Sequence, residues 1–383
     1  MSERPNPQST IRNPQWLAGL ISIAAAFFTL SAVAENNSLI NSLPQNALQS
    51  AFQILRRDYI RHDELTFEEL NRAALLGLLE RLRFGAELVS AVPQIKPPPN
   101  VHAEFLAPDI AYLRPETFAE GEGTLFEKEL SKAIGQKAKY LILDLRGTRS
   151  AGSIDEAALM LQCFVPAGEK MFSMKQIGRD EAELFISKHD PMWKNQMFVL
   201  VDGDTNNGAE ALAACLRQSC RALLIGTKTH GIAVRYADVK LDDKTTLRYA
   251  SGEVVLPDGT MLFQRGLTPD FSVPSLGEEK WKAFDGSRGK SMKPFISDRV
   301  RLRFNETALV GAQNPELDAY VRRSQGQPLP GDEGQVRDVV TQHALDLLRT
   351  MEFAAQSKIN WNAKPAGATS PSENIPRAVP AKP

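Results

Sequence analysis

The stretch Phe198–Tyr236, FVLVDGDTNNGAEALAACLRQSCRALLIGTKTHGIAVRY, constrains the fold more than any other part of the chain. A short apolar run leads into a polar turn, an amphipathic helical pattern, a second apolar run and a Gly-rich turn. The alternation continues upstream. Apolar runs and periodicity predict strands over 108–115, 139–145, 196–202 and 221–226. Helices are predicted over 120–134, 154–163 and 207–218. Apolar strands that alternate with helices imply an α/β sheet with helices packed on it.

The flanks read differently. Residues 35–91 form an N-terminal helical segment with two amphipathic patterns, and Thr66 with Glu69 has the spacing of a capping box opening the second. Residues 92–104, with VPQIKPPP, read as a proline-rich linker. The core is expected over 105–275, and within it residues 234–263 alternate as an antiparallel meander turning at Asp258-Gly259. Residues 276–330 are charge-rich and weakly patterned and read as an irregular connection. A closing helix is expected within 331–358, and the Pro/Ala/Ser-rich tail 359–383 reads as disordered. The 43% hydrophobic content is ample for a core, and the net charge of −1 provides no basic field to attract nucleic acid. Five His and three Cys, without CxxC or HxxxH spacing, imply neither a metal nor a cofactor.

Quoted in order, IAYLR (110–114), KYLILDLR (139–146), DEAALMLQCFVP (155–166), the 198–236 stretch and LPDGTMLFQRGLTPDF (256–271) resemble the C-terminal processing, or tail-specific, serine proteases. The resemblance covers most of residues 50–275. It implies a ClpP/crotonase-like α/β core with flanking N- and C-terminal helices. No PDZ-sized insert separates Leu82 from Ile110, and the family's NPGG loop is altered to Gly147–Gly152 with one apparent extra residue.

On the family pattern the nucleophilic serine falls on Asn207, the general-base lysine on Ile232 and the lysine-orienting glutamine on Tyr236, with the 25-position Ser–Lys spacing kept. An amide cannot attack a carbonyl and an isoleucine cannot take up a proton. The resemblance assigns oxyanion and peptide contacts to Gly208 and to Ala151 or Gly152. The plainer reading is that Asn206-Asn207-Gly208 simply caps the helix. Thr205, with Lys228 or His230, could form a relocated site, and Tyr236 could fill the space vacated by the lysine. Three readings stay open: an exported pseudo-peptidase binding an extended peptide or unfolded protein tail, an active serine- or threonine-type endopeptidase with moved residues, and a homodimeric scaffold or adaptor.

Arg4 and Arg12, the apolar run 17–30 and Ala32-Val33-Ala34 have the layout of a secretory signal peptide over 1–34, cut after Ala34. Export to a periplasm is the expectation, with membrane association only through an uncleaved signal. Cys215 and Cys220 could bridge across a helix end, or all three thiols could be buried small hydrophobes.

Overall fold

The computed structural model describes residues 39–90, 97–148, 152–296, 315–324 and 336–356. The expected signal peptide and C-terminal tail lie outside them. The chain divides at Arg83/Phe84 into two units. In the first, α1 (Gln45–Asp58) and α2 (Phe67–Leu82) follow the apolar periodicity, and the Thr66 hydroxyl caps α2 by accepting from Glu69 N at 3.2 Å. Neither helix buries a residue, and Phe52, Leu55, Leu76 and Leu78 are exposed.

The second unit contains two sheets. The larger runs β11 (Phe271–Ser272), β8 (Leu223–Gly226), β7 (Met197–Val201), β4 (Tyr140–Asp144), β3 (Ile110–Pro115), β2 (Val101–Ala107). All its pairs are parallel except β2–β3. Its central strands are apolar throughout because both faces are covered. Leu141, Leu143, Val199, Val201 and Leu224 face one cluster, with α3 (Glu122–Gly135), α4 (Ile154–Leu161) and α5 (Asn207–Cys220). The alternate residues Ile142, Phe198, Leu200 and Ile225 face a second, closed by α6 (Gly277–Ser287) and the last helix, α8 (Val339–Gln356). A further helix, α7, spans Pro315–Ser324.

The smaller sheet is antiparallel. Its spine is β10 (Thr245–Val255), which pairs with β9 (Val234–Lys240), β1 (Ala86–Ser90) and β5 (Lys170–Gln176). The last of these carries β6 (Glu183–Ile186). The predicted meander is thus one part of a sheet assembled from distant segments.

Two boundaries need correction. The linker read over 92–104 ends at Asn100, because Val101–Ala107 pairs with β3. Its polar side chains pair with one another, His102 Nε2 lying 2.8 Å from Glu104 Oε1. The connection read over 276–330 is not irregular throughout. It contains α6, which buries Lys280, Ala283, Phe284 and Ser287 along one face, and α7. All three cysteines are free, and burial pushes the Cys163 thiol up to about 12 and Cys220 to about 11. No helix among the described residues is long and apolar enough to cross a membrane.

Candidate functional site

Parallel strands β4, β7 and β8 end on one edge of the larger sheet, where ligand crevices of such sheets form. From β7 the chain turns sharply into α5. The turn is held from inside: Asp204 N donates to Asp202 Oδ1 at 2.9 Å and Asp202 N to Thr205 Oγ1 at 3.0 Å. Thr205 Oγ1 then donates to Leu145 O at 3.1 Å. Asn207 follows at φ 44°, a left-handed conformation that Asn tolerates better than most residues. It is buried, and its Oδ1 has no hydrogen-bond partner among the described residues. Asn206 occupies the N-cap position but makes no side-chain capping bond, its Nδ2 donating instead to Asp204 O. The capping expected of the Asn pair is therefore positional only.

Gly208 sits where no side chain fits: a Cβ there would lie 2.4 Å from Ser153 O and 3.2 Å from the Phe118 ring. Phe118, itself at φ 50°, also packs on Gly152, whose Cβ would lie 2.5 Å from that of Phe118. The aromatic ring thus wedges the end of the 147–152 loop against the start of α5. The first internal donor of α5 is Glu210 N to Asn206 O, so Gly208 N–H belongs to the helix's orphan first turn. Ala151 lies outside the described residues.

The loop after β8 is tied to α5 by one carboxylate. Glu210, fully buried, accepts from Thr229 Oγ1, from Gly231 N at 2.9 Å and from Ile232 N at 2.8 Å. Burial raises its pKa, opposed by those hydrogen bonds. Leu267 N donates to Thr229 Oγ1 at 2.7 Å, locking the GLTPD segment to the same loop. Gly231, at φ +86°, leaves 3.0 Å between its would-be Cβ and Gly266 N.

The relocated-site residues are not brought together as a pair. Thr205 is fully buried, with its hydroxyl engaged on both sides. His230 meets it only through backbone, His230 N donating to Thr205 O at 3.1 Å. The His230 ring uses Nδ1 on Gly203 O and packs edge-on against Phe84. Lys228 is exposed, and no described hydroxyl hydrogen-bonds to either side chain. Ile232 is half-buried. The Tyr236 hydroxyl donates to Phe84 O at 2.8 Å, and burial raises its pKa.

Just past the end of β4, beside Gly147, lies a charged core. Arg146, fully buried, donates to both oxygens of Asp144 at 2.9 and 2.6 Å, to both of Asp338 at 2.9 and 2.7 Å, and to Thr341 Oγ1. Burial pushes the Asp338 carboxyl up, but Arg146 and Thr341 overcome this and hold it below the usual range. Lys280, which sequence reasoning missed, reaches Arg146 O at 3.1 Å and Asp202 and Asp204 Oδ2 at 2.6 Å each. The signal available was a lysine at the i, i+3, i+4, i+7 spacing of Lys280, Ala283, Phe284 and Ser287. No cluster suited to a metal occurs among the described residues.

Residues 109–273 match the model of peptidase family S41. The carboxy-terminal-processing protease of Bartonella bacilliformis is 28% identical over 48% of this chain and 43% of its own. The carboxy-terminal processing protease CtpA of Bacillus subtilis is 27% identical over 45% of this chain and 37% of its own. The chain thus spans less than half the length of these curated relatives. A solved photosystem II D1 C-terminal processing protease superposes with a TM-score of 0.38 at 20% identity, covering 50% of this chain and 48% of that one. The chain carries a peptidase family S41 domain on a mixed α/β framework.

Proposed function

We propose that this S41 domain is a pseudo-peptidase: it holds an extended peptide or an unfolded protein tail in the groove between the Asn207 turn and the 147–154 loop without hydrolysing it. The observation that carries the reading is the pair Asn207 and Ile232 at the nucleophile and base positions. Beside them, the nearest hydroxyl in the turn, Thr205, is buried and bonded to backbone. Peptide capture by strand addition needs backbone pairing and no nucleophile, so it outlives the dyad. The relatives are named for processing carboxy termini, which supports a chain terminus as the bound element. The segment 1–34 is proposed as a signal peptide that directs the chain to an exported, periplasmic location.

The exposed apolar residues of α1 and α2 support a second reading, a homodimeric scaffold. One experiment separates these readings from a relocated active site. Wild type is compared with the triple variant Asn207→Ser, Ile232→Lys, Tyr236→Gln on an extended peptide with an apolar carboxy terminus. Binding without cleavage by wild type, and cleavage by the variant, is the expected result. Wild-type turnover that vanishes on Thr205→Ala or His230→Ala establishes the relocated site. Absence of binding at millimolar peptide leaves the scaffold.

A further inference from the structure

We infer that a cavity walled by Trp281, Phe284, Pro97 and Pro98 reads chain ends: it takes the apolar last side chain of an extended peptide, and Arg288 at its mouth takes the free carboxylate. The inference rests on the peptide-binding reading above and names which end of the peptide is held.

The cavity has a volume of about 260 Å³, and every residue that lines it is among the described ones. Phe284 is buried, and the Arg114 guanidinium carbon lies 4.0 Å from its ring centroid. Trp281 stands edge-on to that ring at 5.7 Å, and the Lys280 ammonium lies 4.5 Å from the Trp281 ring centroid. Two cations thus hold two aromatic side chains in place. Pro97 and Pro98 complete the apolar lining with rigid rings and no N–H to satisfy. A cavity fixed in this way costs little ordering when it is filled. Its volume falls short of the roughly 300 Å³ at which sites for whole small molecules begin, so it suits one side chain.

The polar groups inside are already matched. Glu116 Oε1 accepts from Arg114 at 3.0 Å and its Oε2 from Asn100 Nδ2 at 2.8 Å. The Thr117 hydroxyl donates to the buried Glu122. The interior therefore demands neither an ion nor a hydrogen bond, which is the environment of an apolar side chain. The mouth differs. The Arg288 side chain is 59% exposed and meets Asp285, itself 53% exposed, at 3.3 Å. An exposed pair of this kind contributes little, and a carboxylate that takes two guanidinium donors replaces it readily. Exposed Lys290 and Lys293 follow, with no acid between Arg288 and Lys293. An apolar cavity with a cation at its lip matches a carboxy-terminal residue, whose side chain and carboxylate leave the same Cα. An internal residue offers the side chain without the charge. The lining also includes Gly147, where the 147–154 loop starts.

The test uses the full chain and an octapeptide ending in leucine, labelled with fluorescein at its amino end, as the free acid and as the carboxamide. Binding is read by anisotropy, and urea unfolding of each variant checks its fold. Wild type is expected to bind the acid about three- to tenfold more tightly than the amide. Arg288→Gln, at an exposed position, is expected to bind both forms alike, at the affinity wild type has for the amide. Trp281→Ala is expected to weaken both forms about tenfold. The same peptide with a benzophenone side chain at its last position should label residues 97–100 or 281–288 of wild type on irradiation. Equal affinity of wild type for acid and amide overturns the inference and leaves the peptide reading standing. So does an acid preference that survives Arg288→Gln, or labelling confined to other segments. If wild type binds neither form at millimolar concentration, the peptide reading itself fails, and this inference with it.

Discussion

The two residues proposed to stand at dyad positions and the residues that hold them in place differ in what they contribute to the fold. Asn207 and Ile232 carry no group able to attack a carbonyl or take up a proton. The carboxylate of Glu210, the guanidinium of Arg146 and the ammonium of Lys280 are buried and satisfied around them. The physical difference is in what each contributes to folding. A catalytic hydroxyl or amine facing a groove adds little to stability, so its replacement costs chemistry alone. A buried charge with two or three partners cannot be removed without stranding those partners. On the proposed reading, single substitutions remove the chemistry while the frame stays.

The sharpest way to break this comparison is Arg146→Met. It leaves Asp144 and Asp338 buried without their shared cation, and should cost about 3–5 kcal/mol in urea unfolding. A loss below about 1 kcal/mol would show that the frame adds as little to stability as the residues at the proposed dyad positions. Gly208→Ala comes next, at about 1–3 kcal/mol, because its methyl must displace Ser153 O or Phe118. Loss of the close helix–loop contact should appear as a shifted denaturation midpoint with an unchanged slope.

Glu210→Gln should cost about 1–2 kcal/mol, since an amide NH₂ placed toward Ile232 N–H sets donor against donor. It also carries a pH signature. The Glu210 pKa is raised above its ordinary 4.5, so its contribution is fully present below 4.5 and is lost as pH rises through the raised value. Asp338 has the opposite sign: its contribution is present above its ordinary 3.8 and is lost as pH falls through its lowered value. Just above pH 4.5, wild-type stability should therefore fall with pH more steeply than that of Glu210→Gln, as read from urea midpoints across that range. The smallest effect belongs to Tyr236→Phe, about 0.5 kcal/mol for one hydrogen bond to Phe84 O.

The parallel strands were legible because YLILD and MFVLV are buried on both faces and so are apolar without interruption. β2 was hidden beside the proline-rich VPQIKPPP run, which reads as linker through the polar pair His102 and Glu104 until their contact is known. β5 and β6, KMFSMKQ and ELFI, are short and belong to a sheet whose spine is some 70 residues downstream; local pattern cannot reveal such a partner. At the candidate site, the proposed roles of the Asn207 and Ile232 positions rest on spacing within one motif. The Thr229–Glu210 bond and the Lys280 contacts did not, because they join residues 19, 76, 78 and 134 apart. A single sequence holds no record of which distant residues meet.

The Arg146–Asp338 bond spans 192 residues, and that separation bears on how the chain is made. At roughly 5–20 residues per second, about 10–40 s pass between synthesis of the arginine and of its second counterion. During that interval Asp144 is its acid partner among the described residues, and the surface that α8 will cover, with Ile142, Phe198 and Leu200 on it, stays wet. The sheet therefore cannot be sealed strand by strand as it emerges. Its completion waits for α8, and that closing helix determines when a nascent molecule becomes a folded one.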